Sequence, residues 1–140
     1  DTLYEFKLNE QCVELIMCCV TDTKSSILWN GEILDGIPIK QGLRQGDPLS
    51  PYLFVLCMER LSNMINLKVS EGSWHGIQAS MNSLLLSHLF FADDLILFAK
   101  ADHSNCETVM DVLNDFCEIS GQKINHLKSK IFVSPNLSST

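Results

Sequence analysis

Leu84-Leu85-Leu86-Ser87-His88-Leu89-Phe90-Phe91-Ala92-Asp93-Asp94-Leu95-Ile96-Leu97-Phe98-Ala99 is a stretch in which two apolar runs close around a pair of adjacent aspartates. Leu84 to Phe91 and Leu95 to Ala99 each have the length and side-chain character of a strand. The Ala92-Asp93-Asp94 link between them is short, which makes the whole a tight β-hairpin with carboxylates at its tip. Charge in that position is costly, because a strand core excludes it and neighbouring carboxylates repel one another. A bound cation relieves both penalties, since hard divalent ions such as magnesium take oxygen ligands. Asp-Asp alone is more often an ordinary Asp-rich turn, so the chemistry depends on what surrounds the hairpin.

Upstream, Asn9 is placed to cap a helix from Glu10 to about Val20, in which Val13, Ile16, Met17 and Val20 recur on one face. Ser25 to Trp29 reads as a strand that turns at Asn30-Gly31 and returns from Glu32 to about Ile37. After a polar, glycine-bearing connection, Ser50-Pro51 supplies a capping side chain and a proline suited to a first helical turn. The helix it opens runs from Pro51 to about Lys68, with Leu53, Phe54, Cys57, Leu61, Met64 and Ile65 as its apolar stripe. Glu71 to Gly76 breaks that pattern.

Downstream, Ser104 and Glu107 match a capping box for a helix through Val109, Val112, Leu113, Phe116 and Cys117, which Gly121 terminates. A short strand near Lys130 to Val133 would complete the unit, and the serine-rich end from Asn136 to Thr140 is expected to fray. Helices interspersed with hairpin-linked strands indicate an α+β fold, a largely antiparallel sheet packed on helices.

With 46% hydrophobic and 19% charged residues, the 140-residue chain can bury a core. Its apolar runs are too short to span a bilayer, and no targeting sequence opens it, so an intracellular protein without a membrane is expected. Cys12, Cys18, Cys19, Cys57, Cys106 and Cys117 show no metal-ligand spacing and read as reduced core residues. The net charge of −7 weighs against a phosphate-gripping surface and predicts weak nucleic-acid binding by this chain alone.

Two further segments bear on chemistry. Gly42-Leu43-Arg44-Gln45-Gly46-Asp47-Pro48-Leu49-Ser50-Pro51 sets a glycine-bearing loop before a helix N-terminus. Gly46 allows close backbone approach, Gln45 offers donor and acceptor, and the helix end favours anions, though a turn followed by a cap is the commoner use of such residues. Ser120 to Ser129 places Lys123 and Lys128 after a helix stop, where an ammonium could meet a phosphate or simply be solvated.

In this order the three segments closely resemble the reverse transcriptase domain of plant-type non-LTR retrotransposons. Gly42 to Pro51 is similar to the family's Arg-Gln-Gly-Asp-Pro-Leu-Ser-Pro block, Phe91-Ala92-Asp93-Asp94 to its catalytic hairpin, and Gly121 to Ser129 to its Gly-x-Lys-Ile-Asn-x-x-Lys-Ser segment. The resemblance implies a polymerase palm with a two-metal magnesium site. In it Asp93 and Asp94 are the metal-binding catalytic pair and Phe91 is the aromatic that opens the motif. Gln45 and Gly46 contact the incoming nucleotide and template pair, Arg44 approaches phosphate or template, and Lys128 protonates departing pyrophosphate. RNA template, DNA primer and deoxynucleotide are the implied partners, and the nucleus the implied compartment.

The family's remaining aspartate belongs to an Asp-x-x-Lys-Ala-Tyr-Asp segment upstream, which these residues do not contain. Residues 1–140 therefore correspond to a partial palm without its first strand, fingers and thumb, expected to be inactive alone. A second reading, from another class, is a non-catalytic retrotransposon remnant or recruited interaction domain.

Overall fold

The computed structural model describes residues 2–21, 24–34, 36–38, 42, 46–78, 80 and 83–134. The chain divides into two compact units, Asp1–Cys57 and Met58–Thr140. In order, the elements are α1 (Thr2–Glu5), α2 (Glu10–Val20), β1 (Lys24–Ser25), β2 (Leu28–Trp29), β3 (Glu32–Ile33), β4 (Ile37–Pro38), α3 (Ser50–Ser70), β5 (Ile77–Gln78), β6 (Leu85–Leu86), β7 (His88–Phe91), β8 (Asp94–Leu97) and α4 (His103–Ser120). The α+β class is as expected. The described strands, however, form four separate two-stranded antiparallel ladders, β1-β4, β2-β3, β5-β6 and β7-β8, and not one sheet.

In the first unit, α2 begins where Asn9 accepts a hydrogen bond from the Cys12 amide at 2.8 Å, the capping role expected of it. Asn30 and Gly31 both have positive φ, 50° and 86°, which suits the twist of a two-residue hairpin loop. The arms carry two ladders: β2 pairs with β3 and the Leu34 amide donates to the Ile27 carbonyl at 2.9 Å, while β1 pairs with β4 in a different register. Val13 is the one buried hydrophobic residue among those described here, so little apolar area holds this unit.

Helix α3 starts one residue earlier than the Ser50-Pro51 reading placed it, with Leu49 already accepting from the Leu53 amide. Asp47 Oδ1 accepts from the Leu49 amide at 2.8 Å and satisfies one of the donors at that end. The expected stripe is only partly buried, being fully so at Leu61 and Ile65.

The second unit holds the core. Trp74, Leu61, Ile65, Val112 and Phe116 are buried there, contributed by α3, the loop after it and α4. Helix α4 is capped by Asp102, whose side chain accepts from the Asn105 amide at 2.9 Å, so Ser104 is inside the helix and the expected capping box does not form. The Asn105 backbone and then its side chain hold the Asp102 carboxyl below the usual carboxylate range. Gly121 ends the helix in the left-handed region at φ 70°, as expected.

The expected strand near Lys130 to Val133 does not form, since no ladder among the described residues includes these positions. The cysteines are free, but Cys12, Cys18, Cys19 and Cys106 are exposed, which corrects their reading as core residues. The 136–140 end lies outside the described residues. No helix among those described is long and apolar enough to cross a membrane.

Candidate functional site

The aspartate pair sits on a β-hairpin. Strands β7 and β8 pair antiparallel with His88 opposite Leu97, Leu89 opposite Ile96, Phe90 opposite Leu95 and Phe91 opposite Asp94. The register leaves a two-residue loop, Ala92-Asp93, so Asp93 is in the turn and Asp94 is the first residue of the return strand. The upstream arm is shorter than Leu84 to Phe91. Leu85 and Leu86 belong to a different ladder with Ile77 and Gln78, and Ser87 separates the two.

Local chemistry does not favour this turn. Ala92 has φ 52°, a left-handed backbone that a residue with a Cβ enters at a cost of about 1–2 kcal/mol. Packing at the base of the hairpin holds it there. Ser87 accepts from the Phe98 amide at 2.8 Å, extending the ladder by one residue pair. The Trp74 indole donates to the Phe98 carbonyl at 2.9 Å, and the Lys100 amide donates to the His75 carbonyl at 2.8 Å. Asn105, itself buried, accepts from the His75 amide at 2.7 Å through its side-chain oxygen and donates to Asp102 through its nitrogen. A Cβ on Gly76 would collide with the Leu86 carbonyl, so the close β5-β6 approach below the hairpin requires glycine there.

His88 ties the first residue of β7 to α3. Its Nε2 is 2.9 Å from Ser62 Oγ and its Nδ1 is 2.9 Å from Ser87 Oγ, with the Phe90 ring packed at 4.8 Å. Burial pushes the imidazole below its ordinary range, and the nearby Glu59 charge opposes that shift. The sequence reading passed over His88, Ser62, Trp74 and Asn105. Its one available signal was Ser87-His88, a polar pair interrupting an otherwise apolar run.

Asp93 and Asp94 are both exposed, and neither has an ion-pair or side-chain hydrogen-bond partner among the described residues of its unit. They fit a hard divalent cation as two adjacent oxygen donors with no lysine or arginine paired to them among the described residues. Among the described residues, no group of three or more His, Cys, Asp or Glu is placed to hold a metal ion. Phe91, opposite Asp94, is 82% exposed and offers its ring at the same tip.

Lys128 lies in a turn after α4, where its amide donates to Asn125 Oδ1 at 3.3 Å and its side chain is exposed. No ion pair joins it to either aspartate among the described residues. Gly46, in the first unit, is exposed with φ 85°, a backbone that a side chain would strain. Arg44 and Gln45 lie outside the described residues.

Residues 1–138 match the family described as reverse transcriptase (RNA-dependent DNA polymerase). A 54-residue stretch is 56% identical to an uncharacterized mitochondrial protein of Arabidopsis thaliana, covering 39% of this chain and 44% of that protein. The chain is also similar to a retrovirus-related Pol polyprotein from the type-2 retrotransposable element R2DM of Drosophila melanogaster, at 34% identity over 69% of this chain. A Pol polyprotein from the type-1 element R2 of Popillia japonica is 33% identical over a similar share. The matched part spans 8% and 15% of those two polyproteins. The chain thus belongs to the reverse transcriptase (RNA-dependent DNA polymerase) family, as a partial domain of the kind carried by non-LTR retrotransposons.

Proposed function

We propose that residues 1–140 are the part of a polymerase palm that presents Asp93 and Asp94 to magnesium during RNA-directed addition of deoxynucleotides. The carrying observation is a pair of exposed, unneutralised aspartates on a strained turn, anchored from below, in a chain of the reverse transcriptase family. The primer 3′-hydroxyl attacks the α-phosphate of the incoming nucleotide, and pyrophosphate leaves. Asp93 and Asp94 would hold the metal pair. When bound, magnesium supplies charge neutralisation on the triphosphate and lowers the pKa of the attacking hydroxyl.

The other roles follow the family resemblance. Gln45 and Gly46 contact the nucleotide and template pair, Arg44 approaches phosphate or template, and Phe91 borders the metal-binding carboxylates. Lys128 donates a proton to departing pyrophosphate. The third carboxylate comes from a palm strand preceding these residues, and fingers and thumb supply the remaining grip, so the chain is inactive by itself. RNA template and DNA primer are the partners, and the work belongs in the nucleus.

Primer extension on an RNA template with magnesium tests this reading. The 140-residue chain should add no nucleotides, and the chain joined to a segment bearing the third aspartate should extend the primer. Asp93→Asn should then cut the rate by about a thousandfold, the scale of losing a group that stabilises transition-state charge. No extension by the joined chain would instead favour a non-catalytic remnant or recruited domain, and extension that ignores Asp93→Asn would remove Asp93 from the catalytic site.

A further inference from the structure

Charge is not spread evenly along this acidic chain. Residues 119–140 contain Lys123, Lys128 and Lys130 and no aspartate or glutamate, leaving seven basic side chains against all seventeen acidic ones before them. Elsewhere in the second unit the cations are engaged. Lys68 pairs with Glu71 at 2.9 Å, Lys100 pairs with Asp102 at 3.3 Å, and Arg60 also has a partner. Lys123, Lys128 and Lys130 are exposed and have no ion-pair partner among the described residues.

The segment is also organised. Asn125 Oδ1 accepts from the Leu127 and Lys128 amides at 3.1 and 3.3 Å, and the Asn125 carbonyl accepts from the Ser129 amide and hydroxyl at 3.0 and 2.9 Å. This turn fixes the backbone on which Lys128 and Lys130 stand. Phe132 follows two residues later and is 90% exposed, with Ile131 beside it at 91%. Free cations next to an uncovered aromatic ring match what a single nucleic-acid strand needs, phosphate neutralisation together with a stacking face.

We infer that residues 123–132 form a contact for single-stranded nucleic acid in the nucleotide-free state, when Lys128 has no pyrophosphate to serve, with Lys123, Lys128 and Lys130 on successive phosphates and Phe132 against a base. This deepens the polymerase reading by naming the segment that meets the polynucleotide, yet it needs no metal. Carboxylate repulsion from the rest of the chain keeps the contact weak and salt-sensitive.

Fluorescence anisotropy of a labelled oligonucleotide of about 20 nucleotides, with the whole chain in EDTA, tests the inference. Three phosphate contacts predict a log-log salt slope of about −2, so binding should weaken about twentyfold between about 50 and about 200 mM salt. The K123Q/K128Q/K130Q variant should bind at least about tenfold more weakly with a nearly flat slope. Phe132→Ala should lose about fivefold or more, and Lys68→Gln, which removes an already paired cation, should bind like the parent. All five substituted sites are exposed or lie on the helix surface, and circular dichroism checks that each variant folds. Absence of binding by the parent chain, or a triple variant with unchanged affinity and slope, would overturn the contact. Because EDTA removes the metal, failure here leaves the Asp93 reading standing, and failure of the Asp93 test leaves this contact standing.

Discussion

Two hairpins with two-residue loops occur among the described residues, and they are stabilised in opposite ways. The first, β2-β3, has the favoured loop chemistry of Asn30-Gly31, both at positive φ, but its arms are bare: Trp29 is 66% and Ile33 77% exposed. The second, β7-β8, carries Ala92 at positive φ, where alanine is strained, but its base is tied to α3 by His88, to Trp74 by the Phe98 carbonyl, and to Ser87 by the Phe98 amide. In the first, local propensity makes the turn. In the second, tertiary packing imposes a turn that the sequence does not prefer, and that turn carries the two aspartates. Strain held by surrounding structure is a feature that clusters at functional sites.

The largest test of this contrast exchanges one tryptophan in each unit. Trp74→Ala removes a fully buried ring and the indole hydrogen bond, and should destabilise the second unit by about 3–5 kcal/mol in a urea titration. Trp29→Ala should cost less than about 0.5 kcal/mol. Equal losses would mean that the two hairpins are held alike. A smaller effect comes from relieving the strained turn. Ala92→Gly should gain about 0.5–1 kcal/mol, the relief of a left-handed Cβ being partly offset by glycine's greater freedom in the unfolded chain. A loss of stability would show that Ala92 is not strained.

The weakest expected effect is on pH. Burial lowers the His88 pKa, so the unfolded chain protonates at higher pH than the folded one. Stability from this group is therefore complete above the usual imidazole range and declines as pH falls through it, until the folded ring protonates too. His88→Gln should flatten the dependence of the urea midpoint between about pH 7 and about pH 5. An unchanged profile would remove His88 from the account of how the hairpin is anchored.

Local signals in the sequence located several elements well. Asn9, Asn30-Gly31 and Gly121 each act through their own backbone or a neighbour three residues away, so cap and turn chemistry sufficed for them. The aspartate hairpin was also legible, since two apolar runs around a charged tip have few other meanings. What escaped depends on distant partners. Ser104 looked like a cap, yet Asp102 takes that role while its carboxylate also receives the Asn105 side chain, and Asn105 in turn holds His75 from thirty residues away. Residues 130–133 have the apolar character of a strand but no paired neighbour among the described residues, and pairing is what makes a strand. The anchoring trio of Ser62, His88 and Ser87 joins a helix to a hairpin across 26 residues, a contact no periodicity records.

The central claim is that Asp93 and Asp94 bind a divalent cation at the hairpin tip. Paramagnetic broadening of backbone amide signals by manganese, compared between the parent chain and Asp93→Ala, addresses it directly. The account predicts broadening centred on residues 92–95 that Asp93→Ala abolishes while the fold persists. Broadening centred on other acidic residues such as Asp111 and Asp115, or unchanged in Asp93→Ala, would contradict it.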